Sequence, residues 1–189
     1  MKTFEYVILF FSFVFTLALT HLLFAVTRMI RHRRDVIFSW EHALWMLNAL
    51  VLLVANWLSL FDFRGQERFD LDSILMLFVF VIGLYFACAL VSPDFDDREE
   101  YDMREFHRCE GPTYIGAIAV FIVLAFITNI SASREGVGIW GSENSLVIWM
   151  IPVTILPLFV HNRIVQLACP AILLALNVAF LIIYYPVIS

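Results

Sequence analysis

Apolar and charged positions alternate in long blocks along the chain. The charged side chains leave six uncharged intervals of roughly 20 residues, the length that crosses a hydrocarbon core of about 30 Å as an α-helix. This pattern predicts an all-α fold, a polytopic membrane helix bundle, with residues 1–189 forming a single transmembrane domain. The uncharged intervals are Tyr6–Thr27, His42–Phe61, Ser73–Pro93, Gly111–Ser133, Asn144–Asn162 and Ile164–Ser189. They predict six transmembrane helices at about 6–27, 42–61, 73–93, 112–132, 144–161 and 164–186.

The composition excludes a water-soluble globule. Hydrophobic residues make up 62% of the chain and charged residues 15%, with a mean hydropathy of +0.87. Soluble domains have roughly 45–50% apolar and about 25% charged residues. The net charge of -5 is a local feature, because many of the acids lie between Asp94 and Glu110. There is no basic, aromatic-rich face for a nucleic acid, and Cys88, Cys109 and Cys169 have no spacing that indicates a disulfide framework.

The basic residues predict the orientation, because Lys and Arg are retained on the cytoplasmic side of short loops. An orientation with both termini extracytoplasmic leaves only Lys2, Arg64, Arg68 and Arg134 outside. The first interval is expected to remain as a span, since it is longer than the apolar core of a signal peptide and its basic cluster follows it. The basic residues expected inside are Arg28, Arg31, Arg33, Arg34, Arg98, Arg104, Arg108 and Arg163.

Two connections carry further predictions. Ser92-Pro93-Asp94 has the residue types of a helix start, so Phe95–Arg108 is expected to form a short interfacial helix between spans three and four. Its apolar face would carry Phe95, Met103 and Phe106. The fifth span contains Pro152 and Pro157, each of which removes a backbone donor, so a kinked span is expected, with a re-entrant segment as the alternative.

Polar side chains collect towards the inner side of the predicted bundle. No Asp, Glu, Lys or Arg lies at mid-bilayer depth, and the deepest titratable residue is His21. One interpretation is a neutral His21 hydrogen-bonded to a neighbouring helix. Another is a haem or metal site, for which His21 with His42 or His161 is the candidate pair. The polar inner-side cluster comprises Thr20, His21, Arg28, Glu41, His42, His107, Arg108 and His161.

Other polar groups have structural interpretations. Asn48, Asn56, Asn129 and Asn177 lie within the apolar intervals, where amides hydrogen-bond between helices. The basic turn at 28–34 and the acidic stretch at 94–100 lie on the same predicted side, so they are expected either to pair or to leave the arginines to anionic lipid headgroups. The sequence contains no recognisable catalytic motif.

Several short motifs carry a resemblance to a known family. The chain resembles a family of small, uncharacterised six-helix bacterial inner-membrane proteins over about its first 110 residues. The resemblance implies a multi-pass protein of the bacterial inner (plasma) membrane and supplies no activity or site residues. The motifs are Leu19-Thr20-His21-Leu22-Leu23 with the following arginines, Trp40-Glu41-His42-Ala43-Leu44-Trp45, Ser92-Pro93-Asp94 and Phe106-His107-Arg108.

Three functional hypotheses follow. The first is a non-enzymatic integral membrane protein that acts through assembly, as a homo-oligomer or as an accessory subunit of a membrane complex, with membrane lipids as its other partners. The second is a haem- or metal-binding redox protein; the sequence requires no cofactor, and haem is the candidate. The third is a small channel or transporter whose polar path would use Thr16, Thr20, His21, Asn48 and the fifth span.

Overall fold

The protein is a bundle of long helices with a very small sheet at one end. The computed structural model describes residues 3–60, 71–94, 101–132 and 142–185. Within these ranges the helices and strands are α1 (Thr3–Arg31), β1 (Val36–Ile37), α2 (Trp40–Ser59), α3 (Leu71–Val91), β2 (Tyr101–Asp102), α4 (Met103–Ala132), α5 (Ser142–Phe159) and α6 (Arg163–Tyr184). The prediction of a helix bundle is therefore confirmed.

Most of the described helices can cross a membrane. Five of them are long and apolar enough to do so: α1, α2, α3, α4 and α6. The apolar stretch of α5, Ser145–Phe159, is shorter. Five such helices are the architecture of a multi-pass membrane protein, as the charge-free intervals predict.

The helices form a ring in which α2 is the most central. Around the ring, α1 packs on α3, α3 on α4, α4 on α5, α5 on α6 and α6 on α2. The contact of α2 with α1 closes the ring. Because α2 also contacts α3 and α4, its inward residues are fully buried, as Trp45 and Ala49 show. Small buried residues such as Ala49 and Ala87 allow the close helix approach that stabilises packing in a membrane.

Two short strands tie two connections together at one end of the bundle. β1 lies between α1 and α2, β2 precedes α4, and the two pair in parallel with Val36 opposite Tyr101. The Tyr101 amide also donates to the Asp35 carbonyl oxygen at 2.9 Å. We call this end, where α2, α4 and α6 begin, the sheet end. The strand that follows the basic turn is thus paired with the strand that precedes α4. Residues 95–100, which hold most of the acidic stretch, lie outside the described part of the chain.

The prediction of a separate short helix over Phe95–Arg108 is wrong for residues 101–108, which the structure describes. Residues 101–102 are a strand, and residues 103–108 are the first turns of α4, which continues without a break through Pro112. The cause is a cap at Asp102, whose Oδ1 accepts the backbone N–H groups of Arg104 and Glu105 at 2.8 and 3.3 Å. Ser92 follows the end of α3, and its hydroxyl donates to the Cys88 carbonyl oxygen at 2.8 Å. Residues 93–94 are not helical, so the predicted helix start at Ser92-Pro93-Asp94 is wrong.

An amide pair joins α2 to α6 inside the bundle. The Asn48 side chain donates to the carbonyl oxygens of Leu44 and Pro170 at 2.9 and 2.8 Å. The Asn177 side chain in turn donates to Asn48 Oδ1 at 3.2 Å. This confirms the predicted role of these two amides. The Asn56 amide donates within its own helix, to the Leu52 carbonyl oxygen.

Candidate functional site

A polar cleft of about 330 Å³ opens at the sheet end of the bundle. Its lining residues come from the first turns of α2, α4 and α6, from the residue that caps α2, and from the α5–α6 connection. The lining consists of Ser39, Glu41, Arg104, His107, His161, Arg163 and Gln166. The start of three helices at one end of the bundle therefore creates the cleft.

Each of these three helix starts is capped by a side chain. Ser39 caps α2 by accepting the His42 N–H, and Asn162 caps α6 by accepting the Ile164 N–H. Asp102 caps α4 as described above. Such caps satisfy backbone donors that a helix cannot use internally, and they leave the positive ends of three helix dipoles close together.

Glu41 links the starts of α2 and α6. The Ser39 hydroxyl donates to Glu41 Oε2 at 2.7 Å, and Arg163 Nε lies 3.6 Å from Glu41 Oε1. The Glu41 side chain is only 16% exposed, whereas that of Arg163 is 86% exposed. The carboxylate is thus fixed by its own helix cap, while the Arg163 side chain lines the cleft and remains largely exposed.

His107 joins α4 to the α5–α6 hairpin through a directed chain of hydrogen bonds. Gln166 Nε2 donates to the carbonyl oxygens of Pro157 and Val160 at 2.8 and 3.1 Å, so its Oε1 is left to accept from His107 Nε2 at 3.2 Å. His107 Nδ1 then accepts from the Tyr114 hydroxyl. This arrangement assigns a neutral imidazole with its proton on Nε2.

His42 lies beside this chain and is fully buried. Its ring meets the rings of Phe106 and Tyr114 edge to face, with centroids 5.0 and 5.7 Å away. Among the described residues neither His42 ring nitrogen has a hydrogen-bond partner, and the same holds for Trp45 Nε1. Tyr114 therefore contacts both histidines, through its ring for His42 and through its hydroxyl for His107.

Burial raises the pKa of the nearby Tyr101 phenol, which remains neutral.

The structure divides the predicted inner-side cluster. Glu41, His107 and His161 line the cleft, and His42 packs beneath Tyr114. Four other members do not line it. His21 accepts from or donates to the Tyr85 hydroxyl at 3.2 Å, Thr20 donates to the Thr16 carbonyl oxygen, Arg28 lies over the Phe24 ring at 4.8 Å, and Arg108 is exposed on α4.

The contacts give no support to a metal or haem site at these residues. In the described ranges, no group of three or more His, Cys, Asp or Glu side chains could hold a metal ion. The candidate haem ligands have separate surroundings: His21 meets Tyr85 on α3, His42 packs against α4, and His161 lines the cleft.

The predicted inner-side cluster omits five residues of this region: Ser39, Arg104, Tyr114, Arg163 and Gln166. Ser39 could have been found as a helix cap two residues before Glu41. Tyr114 lies two turns after His107 and therefore on the same face of α4. Gln166 is the first polar side chain of the last apolar interval. Arg104 carried no local signal, because its position depends on where α4 begins.

Comparisons with known proteins identify no relative. No family model, no curated protein and no solved structure matches this chain.

Proposed function

We propose that the protein is a multi-pass protein of the bacterial inner membrane that acts through assembly, as a homo-oligomer or as an accessory subunit of a membrane complex. It has no catalytic role in this proposal. It crosses the membrane six times, with both termini extracytoplasmic and the sheet end cytoplasmic. The excess of arginines in the connections at the sheet end supports this orientation.

The crossing by α5 is supported by the direction of its neighbours. Both α4 and α6 begin at the sheet end, so α5 returns the chain to that end. Its 18 residues span about 27 Å at 1.5 Å per residue, of which the apolar stretch Ser145–Phe159 covers about 22 Å of a hydrocarbon core of about 30 Å.

The outward face of α1 is the observation that carries the assembly proposal. Thr16 and Thr20 are exposed at a four-residue spacing on this helix, and His21 is exposed beside them. The threonine hydroxyls donate to carbonyl oxygens of their own helix, but His21 Nδ1 has no partner in the described part of the chain. An imidazole facing lipid is costly, and small side chains at this spacing favour close helix contact. A second copy of α1 would cover the His21 imidazole and would pack closely against Thr16 and Thr20.

Cysteine crosslinking in membranes tests the assembly. Thr16→Cys and Thr20→Cys, each combined with Cys109→Ser, are expected to give a disulfide-linked dimer on mild oxidation. Ile172→Cys in the same background is the control, because it is exposed on α6 at a similar distance from the sheet end. Cys88 and Cys169 can remain, since both are buried.

Two results would overturn the proposal. One is equal crosslinking of Thr20→Cys and Ile172→Cys, which would indicate random collision. The other is a monomer without partners in native mass spectrometry of protein extracted in lipid nanodiscs. The orientation is tested separately in intact cells, where an impermeant maleimide should label Leu71→Cys and leave Ile164→Cys unlabelled, both in the Cys109→Ser background.

The channel alternative receives less support from the same contacts. Thr16 and Thr20 face outwards, whereas Asn48 is buried between α2 and α6. These groups therefore do not line one common path in the described residues. Solute flux in proteoliposomes that His21→Ala abolishes would favour this alternative over assembly.

A further inference from the structure

We propose that the cleft at the sheet end binds a phosphate group, carried either by a small soluble anion or by the headgroup of an anionic lipid. The inference is independent of the assembly through α1, because the cleft is formed by α2, α4 and α6.

The described lining carries more positive than negative groups. Arg104 and Arg163 are its two guanidinium groups and Glu41 is its acid, whereas His107 is the neutral imidazole described above. The Glu41 carboxylate already accepts from Ser39 and faces Arg163 at 3.6 Å, so it is neutralised locally. A guanidinium binds phosphate oxygens through paired N–H donors, which makes arginine the favoured residue for this ligand.

The side chains of Arg104 and His161 are available to bind a ligand. In the described part of the chain, neither the Arg104 guanidinium nor the His161 ring has an ion-pair or hydrogen-bond partner. The nearby Asp102 carboxylate accepts the backbone N–H of Arg104 through Oδ1, and the contacts of the described residues include no bond from it to the Arg104 guanidinium. Glu105 is exposed and is not part of the lining.

The backbone adds to this positive potential. The amino-terminal ends of α2, α4 and α6 surround the cleft, and each helix presents a partial positive charge at that end. The carboxylates of Asp102 and Glu41 already lie at the starts of α4 and α2, so a bound anion gains most from the start of α6, whose first turn has no acid. A divalent cation would meet one neutralised carboxylate and two guanidinium groups, so the chemistry of the lining favours an anion.

The size and position of the cleft fit a headgroup or a small phosphorylated molecule. Its volume of about 330 Å³ is at the lower end of the roughly 300–1,000 Å³ of small-ligand pockets. It lies at the ends of the membrane-crossing helices, where lipid phosphates are found, and it opens to one side of the membrane. Both sources of phosphate can therefore reach it.

Binding of two probes to the full-length protein in nanodiscs tests the inference. The first probe is inorganic phosphate, titrated against protein in phosphatidylcholine nanodiscs and followed by calorimetry. The second is phosphatidylglycerol, whose retention on the protein is followed by native mass spectrometry. The variant is Arg104→Gln, which removes an exposed charge and leaves the Asp102 cap in place. The matched control is Arg108→Gln, one turn further along α4 and outside the lining.

We expect Arg104→Gln to weaken the binding of at least one probe by about tenfold, and Arg108→Gln to change it by less than about twofold. Dependence of inorganic phosphate binding on Arg104 identifies a soluble ligand. Dependence of phosphatidylglycerol retention alone identifies a lipid headgroup. Equal effects of the two substitutions, or no binding of either probe to the wild-type protein, would overturn the proposal.

Discussion

Asn177 donates its side-chain N–H to the side-chain oxygen of Asn48, and this bond connects helices α2 and α6 across 129 residues of sequence. Asn48 also donates to the Pro170 carbonyl oxygen of α6. Pro170 lies inside α6 and has no backbone N–H, so one hydrogen bond of a regular helix is missing at this position. The amide pair therefore stabilises the contact between the central helix and α6 at a proline.

Replacing Asn48 by leucine should lower the stability of the bundle. The substitution leaves the Pro170 carbonyl and the Asn177 amide without their buried partner, and we expect a loss of about 1–2 kcal/mol in the free energy of unfolding. Steric trapping or reversible unfolding in detergent measures it. Asn56→Leu is the control, because the Asn56 amide bonds only within α2. An equal loss in both variants would contradict the interhelical role of Asn48.

His107 and Gln166 should behave as a coupled pair. Gln166 holds the end of α5 through two carbonyl oxygens and fixes the His107 ring through its own oxygen. In a double-mutant cycle of His107→Ala and Gln166→Ala, we expect a coupling energy of about 1 kcal/mol. The same cycle with Arg108→Ala in place of His107→Ala should be additive. Additivity in both cycles would argue against the hydrogen-bond chain.

Five helices that are long and apolar enough to cross a membrane could be predicted from the sequence, because such a stretch is a local property. About 20 successive apolar residues define it, whatever their neighbours are. The start of α4 could not be predicted in this way. Its cap at Asp102 depends on the strand that precedes it, and that strand pairs with Val36, more than 60 residues earlier in the chain. Local signals predict the Phe95–Arg108 helix, whereas the structure has a strand at Tyr101–Asp102 that pairs with a distant part of the chain, and α4 begins after it.

The candidate site shows the same limit. The sequence favours an inner-side depth for His21, His42, His107 and His161, and this stays a prediction from the position of each residue along its helix. It could not predict their angular position around the bundle, which depends on helix packing. Tyr85 of α3 therefore meets His21, while Tyr114 of α4 meets both His42 and His107.

Replacing His42 by phenylalanine should leave the stability unchanged or increase it slightly. Neither ring nitrogen of His42 has a partner in the described residues, so the buried imidazole contributes no hydrogen bond. A phenyl ring keeps the edge-to-face contacts with Phe106 and Tyr114. His107→Phe is the matched comparison and should lose about 1–3 kcal/mol, because it leaves the Tyr114 hydroxyl and Gln166 Oε1 unpaired. A loss for His42→Phe as large as that for His107→Phe would show that His42 binds a partner in the membrane.

The three cysteines should differ in their reaction with a maleimide. Cys109 is exposed on α4, whereas Cys88 and Cys169 are buried in α3 and α6. Folded protein in nanodiscs should therefore take up one label per chain quickly, and protein in denaturant should take up three. Intact-mass spectrometry measures both states. Cys109→Ser should abolish the fast label, since the packing around the other two thiols excludes the reagent until the helices separate. Rapid labelling that persists in Cys109→Ser would show that α3 or α6 opens readily, and it would contradict the tight contact in which the Cys88 thiol faces the Ala49 carbonyl oxygen of α2.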